Sequence, residues 1–231
     1  MQVQDHDTAA DQLRHRRQTL PELAQLVAVE DDLVRLEVAL TETSAAAADA
    51  AKAQRRLEGE LALVESKVVE LESRLYSGVV TVPRELQAMQ IEGEALRTRR
   101  GSVEDEVLEA MDRRESLDGE IAALQRRRSE LDAEGSGLRA AIAEGQSHLD
   151  RELAAQLEAR ATAAAGIPPD LAALYEQLRA RLGGVAAALL VNGRCGGCHL
   201  ALPATEVARL RKEAPETLVR CEQCERILVR P

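Results

Sequence analysis

Aromatic side chains are almost absent. The 231 residues hold no Trp, no Phe and two Tyr, Tyr76 and Tyr175. Aromatic rings supply much of the buried area of a compact core, so a wide globular core is excluded. No apolar run reaches the roughly 18 residues that a membrane-spanning helix needs. The leading segment MQVQDHDTAADQLRHRRQ lacks the apolar stretch of a signal peptide. These absences predict a cytoplasmic protein without a membrane partner. Cysteine is scarce too: Cys195, Cys198, Cys221 and Cys224 are the whole complement. In a reducing compartment, paired Cys-x-x-Cys motifs read as metal ligands or redox centres rather than structural disulfides.

Positive charge is in deficit, with 30 Lys/Arg against 40 Asp/Glu, net -10. The deficit lies upstream of residue 194, since the segment from Arg194 onward holds seven basic and five acidic residues. An acidic arm repels phosphate backbones along its length. There is also no nucleophile beside a base, no phosphate-binding glycine loop and no histidine cluster. His6, His15 and His148 fall on helical segments and read as solvated. The carboxylates recur at helix-surface spacing, which makes them salt-bridging faces. The sequence therefore predicts a protein that is not an enzyme.

What is abundant is Ala, Leu, Glu and Arg, the bias of long helices. Leu57, Leu61, Val64, Val68, Leu71 and Leu75 are spaced 4-3-4-3-4, the seam of a left-handed coiled coil. Upstream, Leu26, Leu33, Leu36 and Leu40 continue it, while Leu13, Leu20, Val27 and Val34 sit in a shifted frame. This predicts one helix over about 8–76 with a register change near 27–36. The run Tyr76-Ser77-Gly78-Val79-Val80-Thr81-Val82-Pro83 then breaks it. Pro83 forces Val82 out of helical geometry and suits the first turn of a new helix.

The second arm keeps one heptad frame. One register reads Met89, Leu96, Val103, Ala110, Leu117, Leu124, Leu131, Leu138 and Gly145; the other holds Leu86, Gly93, Arg100, Val107, Arg114, Ile121, Arg128, Gly135, Ile142 and Leu149. Three Arg and two Gly make the second register wetter, and the glycines predict a bend or fraying at 135–137. Two long helices around a tight break predict an antiparallel hairpin over 1–165, with its turn at 76–83. Residues 166–184 read as a linker helix, and 185–231 as a small module. That module should hold a strand within Val185–Val191, a turn at Asn192-Gly193, a helix over Ala204–Glu213, and strands at Thr217–Arg220 and Ile227–Val229. The fold class is mainly α, a coiled-coil hairpin with a small α+β zinc ribbon.

The two cysteine pairs have the spacing of zinc knuckles. Two residues between thiolates let both sulfurs reach one ion, and two such pairs give tetrahedral tetrathiolate coordination. Such sites supply ~10–16 kcal/mol, enough to fold a segment with little core. One zinc on Cys195, Cys198, Cys221 and Cys224 is the reading adopted. Iron in the same cage is chemically allowed. Cys195-Gly-Gly-Cys198-His199 also matches a haem-attachment string, but that leaves Cys221 and Cys224 unexplained. A thioredoxin-like redox pair lacks its strand-helix-strand setting. His199 reads as an exposed or outer-sphere residue, with replacement of a thiolate the lesser alternative.

The chain resembles the bacterial C4-type zinc ribbon domain proteins. The matching segments are LYSGVVTVPRELQAMQ (75–90), PPDLAALYEQLR (168–179), NGRCGGCHLALP (192–203) and CEQCERILV (221–229). Glu225 departs from the pattern, standing where Gly is expected in a left-handed conformation. The resemblance implies a non-enzymatic regulator. Members of the family are reported to bind a sigma factor of RNA polymerase, and in flagellated bacteria flagellar mRNA. The expected function is a zinc-binding adaptor working through protein–protein contacts, with transcription as the candidate setting and a monomer as the expected state. The alternative is a nucleic-acid-binding ribbon using Arg194, Arg209, Arg211, Lys212, Arg220, Arg226 and Arg230. That ribbon, however, has no aromatic on which a base stacks.

Overall fold

The computed structural model describes residues 1–214 and 216–230. In chain order the elements are α1 (Gln2–Gln18), α2 (Pro21–Tyr76), α3 (Pro83–Ala164), α4 (Pro169–Arg181), β1 (Ala187–Val191), β2 (Arg194–Cys195), α5 (Ala204–Lys212) and β3 (Ile227–Val229). The fold is mainly helical, a helical hairpin with a small C-terminal sheet, as the periodicity predicts. The chain divides into two compact units, residues 26–137 and residues 1–25 with 138–231.

In residues 26–137, α2 and α3 pair antiparallel: Glu72 meets Arg97 at 2.7 Å and Glu37 meets Arg128 at 3.1 Å. Leu57, Val103 and Val107 form a buried knot in the seam. Gly93 brings the helices close, because a Cβ there would sit 3.5 Å from Leu71 Cδ2. A polar layer interrupts the seam near its middle. Gln54 is buried, and its Oε1 accepts from Arg114 Nη1 at 3.3 Å. Among the two heptad registers of α3, only Arg114 and Arg128 are exposed.

Three sequence expectations are corrected. The first arm is not one helix over 8–76. Helix begins at Gln2 and breaks at Thr19–Leu20, because Pro21 lacks an amide hydrogen and fits only the first turn of a helix. Val27 and Val34, read as seam residues of the shifted frame, are exposed, and Val29 is buried instead. The arm α3 does not fray at 135–137: helix continues through it, and Gly135 is buried at a seam position.

The other unit is built around the C-terminal sheet, of strand order β2-β1-β3. β1 runs parallel to β3, with Ala187 opposite Ile227, and antiparallel to β2, with Leu190 opposite Cys195. Both faces of this sheet are covered. Ala187 and Ile227 pack with Val3 of α1 and with Tyr175 and Leu178 of α4. Ala188, Leu190 and Leu228 pack with Leu210 of α5, Val219, Cys195 and Cys221. The expected strand at Thr217–Arg220 reduces to a single bridge between Arg220 and Ile227, with the Leu228 amide donating to Val219 O at 2.9 Å. The strand expected within Val185–Val191 begins at Ala187, and β2 had no sequence signal beyond its Asn192-Gly193 turn.

A buried polar knot ties α1 to this sheet. Gln4 Oε1 accepts from the backbone amides of Ala186 and Ala187 at 2.7 and 3.1 Å, and Gln4 Nε2 donates to Gly184 O at 3.0 Å. Asp7 accepts from Tyr175 Oη and Arg160 Nε, both at 2.8 Å. Arg179 reaches Asp11 at 2.8 Å. Buried backbone donors at the start of β1 are thereby satisfied by a residue about one hundred and eighty positions earlier, as burial of backbone amides demands. Among the described residues no helix is long and apolar enough to cross a membrane.

Candidate metal centre

The two Cys-x-x-Cys segments adopt the same loop. In the first, the His199 amide donates to Cys195 O at 2.8 Å and the Cys195 amide to Leu200 O at 3.1 Å. In the second, the Glu225 amide donates to Cys221 O at 2.8 Å and the Cys221 amide to Arg226 O at 2.9 Å. Each loop closes through a left-handed residue directly after its second cysteine, His199 at φ 61° and Glu225 at φ 63°. Glu225 therefore occupies the strained geometry that its departure from glycine implied. Its carboxylate meets Arg181 and Arg220.

The loops face each other across the ribbon core. The four sulfurs all lie within 4.8 Å of one another. Cys195 Sγ is 3.8 Å from Cys224 Sγ, and Cys198 Sγ is 3.9 Å from Cys221 Sγ. A tetrahedron with ~2.3 Å metal–sulfur bonds has edges of about 3.8 Å, so the donor set fits one structural zinc ion. Cys195 and Cys221 are buried, and burial pushes both thiols up from their ordinary range. Cys224 goes the other way: burial opposes it, but the Arg226 amide and guanidinium favour its thiolate.

Arg226 is fixed beside this cage. Its Nε donates to Val185 O at 2.8 Å and its Nη2 to Leu182 O at 3.1 Å. Gly197 leaves it room, since a Cβ there would overlap the Arg226 side chain and come within 3.2 Å of Ala188 Cβ. Arg230 Nη1 donates to Leu210 O and Glu213 O, and Nη2 to Ala214 O and Thr217 O, so it caps the end of α5. Arg209 pairs with Glu206 and Glu213, and Arg220 with Glu225. Of the seven basic residues of the ribbon, these four are thus engaged within the chain. Arg194, Arg211 and Lys212 are the others. His199 is exposed and stands outside the sulfur cluster. His15 and His148 are exposed as expected, whereas His6 is half-buried and shares a 2.8 Å hydrogen bond with Gln156.

The residues missed by sequence reasoning are Gln4, which ties α1 to β1, Asp7, which ties α1 to α3 and α4, and Gly197 and Arg226, which pack beside the cage. A signal for Arg226 existed in its place directly after the second knuckle, but an arginine on a ribbon reads first as a surface charge.

Residues 3–183 match the CT398-like coiled coil hairpin domain, and residues 194–228 the C4-type zinc ribbon domain. An uncharacterised protein of Mycobacterium tuberculosis is 30% identical over 224 residues, covering 97% of this chain and 91% of its own. A structurally characterised protein of Mycobacterium smegmatis superposes with a TM-score of 0.77 at 28% identity, covering 100% of this chain and 95% of that one. CT398 from Chlamydia trachomatis shares the fold, with a TM-score of 0.72 at 20% identity over 99% of this chain and 94% of its own.

Proposed function

Since the chain belongs to the CT398-like coiled-coil hairpin family and ends in a C4-type zinc ribbon, we propose that it is a non-enzymatic, zinc-binding adaptor. It acts in the cytoplasm as a monomer, through protein–protein contacts, with the transcription machinery as the candidate partner. Cys195, Cys198, Cys221 and Cys224 are the four zinc ligands. The observation that carries this reading is the convergence of four sulfurs on one point. Four thiolates fill a tetrahedral zinc and leave no position for water or substrate, so the ion serves to fold the ribbon.

An RNA or DNA partner is the alternative. It is disfavoured because Arg226 and Arg230 spend their donors on backbone carbonyls, and Arg209 and Arg220 face carboxylates. Arg194, Arg211 and Lys212 are too few to carry it without a stacking aromatic.

The test is a pull-down with the full chain and with Cys221→Ser, alongside a mobility shift with labelled RNA and DNA. The adaptor reading expects protein partners that are lost with the zinc, and no shift at about 50 mM salt. Partners that all survive Cys221→Ser remove the ribbon as the docking surface. A shift that vanishes steeply with rising salt establishes the nucleic-acid reading instead.

A further inference from the structure

The hairpin turn carries the most exposed apolar group in residues 26–137. Tyr76 is 79% exposed and Val79 83%, and Val82 beside them is also open to solvent. Tyr76 is one of two aromatic residues in the chain; the other, Tyr175, is buried and hydrogen-bonded. A lone exposed apolar side chain needs no explanation. Three on one turn, including half of the aromatic complement, mark an interaction surface.

The charge around this group is distinctive. From Ser73 to Arg84 there are two arginines, Arg74 and Arg84, and no acidic residue. Among the described residues neither arginine forms an ion pair. The flanking carboxylates are otherwise occupied: Glu72 pairs with Arg97, and Glu85 lies in the first turn of α3, where the helix dipole favours it. In a chain of net charge -10, the turn is a cationic, apolar end. Tyr and Arg are also the residue types that dominate binding energy at protein interfaces.

We propose that this turn is a second docking site, on which Tyr76, Val79 and Val82 enter an apolar pocket of a partner protein whose rim is lined with carboxylates facing Arg74 and Arg84. The backbone favours a protein over a lipid surface. Val79–Val82 lies outside any helix or strand, and the amides of Val80 and Thr81 have no partner among the described residues. Hydrocarbon leaves such groups unsatisfied, whereas a protein surface offers acceptors. The site is independent of the ribbon, so its failure leaves the zinc-dependent docking reading untouched.

The test places a photo-crosslinking amino acid at position 79 of the full chain, expressed in its own cells. Crosslinked peptides are sequenced for the parent and for Arg74→Glu/Arg84→Glu. The second preparation is matched by circular dichroism, since exposed residues leave the helices intact. Support is a dominant protein adduct on a peptide rich in Asp and Glu, reduced about tenfold or more by the charge reversal and retained in Cys221→Ser. Adducts unaffected by charge reversal, or adducts scattered over unrelated proteins, overturn it. So does flotation of the parent chain, but not the charge-reversed one, with vesicles containing phosphatidylglycerol, which assigns the turn to membranes.

Discussion

The Tyr175 hydroxyl donates a 2.8 Å hydrogen bond to the Asp7 carboxylate, joining α4 to a helix at the opposite end of the chain. Asp7 is 2% exposed, and it also holds Arg160. Removing it leaves the Tyr175 hydroxyl without its carboxylate acceptor and takes from Arg160 and Arg179 their buried partner, leaving them Glu176 and Asp11. Asp7→Ala should therefore destabilise the unit by about 3 kcal/mol, the low end for a broken buried pair, because Arg160 and Arg179 keep some contact with water. Tyr175→Phe should cost less, about 1–2 kcal/mol. Denaturant titration of each variant checks the order.

The same knot has a pH signature. Burial alone would raise the Asp7 carboxyl, but hydrogen bonds from Arg160 and Tyr175 and the arginine charges outweigh it and hold it below its ordinary value of 3.8. A carboxyl depressed in the folded state contributes fully above its unfolded value and loses that contribution as pH falls through the folded one. The Tm advantage of the parent over Asp7→Asn should be constant near neutrality and shrink below about pH 4. An advantage that persists unchanged to lower pH contradicts the assignment.

Gly197 and Arg226 should be coupled. Gly197→Ala pushes the Arg226 side chain off the carbonyls of Val185 and Leu182. The expected cost is about 1–3 kcal/mol in ribbon stability, read as weaker zinc retention against a competing chelator. In Gly197→Ala/Arg226→Ala the overlap is gone, so the two costs should be less than additive. Additivity would mean that Arg226 is free to move aside.

Glu225 holds a left-handed backbone while its carboxylate meets Arg181 and Arg220. Glu225→Ala keeps the strain and removes the ion pairs. Glu225→Gly relieves the strain. The glycine variant should be more stable than the alanine variant by about 1 kcal/mol, measured as the difference in their thermal midpoints.

Gln54 should behave as a register pin. Replacing a seam glutamine by leucine buries more apolar surface, so Gln54→Leu should raise the stability of the hairpin by about 1 kcal/mol. The cost is specificity, since a polar seam layer fixes alignment. Cysteine pairs placed across α2 and α3 in neighbouring registers should crosslink uniquely in the parent and in more than one register in the variant.

The seam from Leu57 to Leu75, the break at 76–83 and the four cysteines were legible because each rests on spacing alone. A heptad or a Cys-x-x-Cys motif states its geometry locally. Pro21 was overlooked because the apolar frame runs on across it, and only its missing amide ends the helix. Gln4 and Asp7 drew no reading, because they precede the apolar frame and nothing in their neighbourhood marks polar residues for burial. Their burial depends on partners from 160 to 187, which no local pattern announces. Arg226 and Arg230 entered only the alternative reading, as phosphate contacts, and their structural partners went unseen for the same reason. Carbonyls at the ends of α4 and α5 claim them, and a sequence does not display which carbonyls lack donors.

The Gln4 bonds to Ala186 and Ala187 set an order of events during synthesis. The first turn of α1 leaves the ribosome early, yet its acceptors and its apolar neighbour Val3 have nothing to grip until the final strands emerge. Until then that segment stays unmated. A bulky fusion ahead of Val3, or deletion of the first ten residues, would accordingly be felt at the far terminus, in how firmly the cysteine cage is supported.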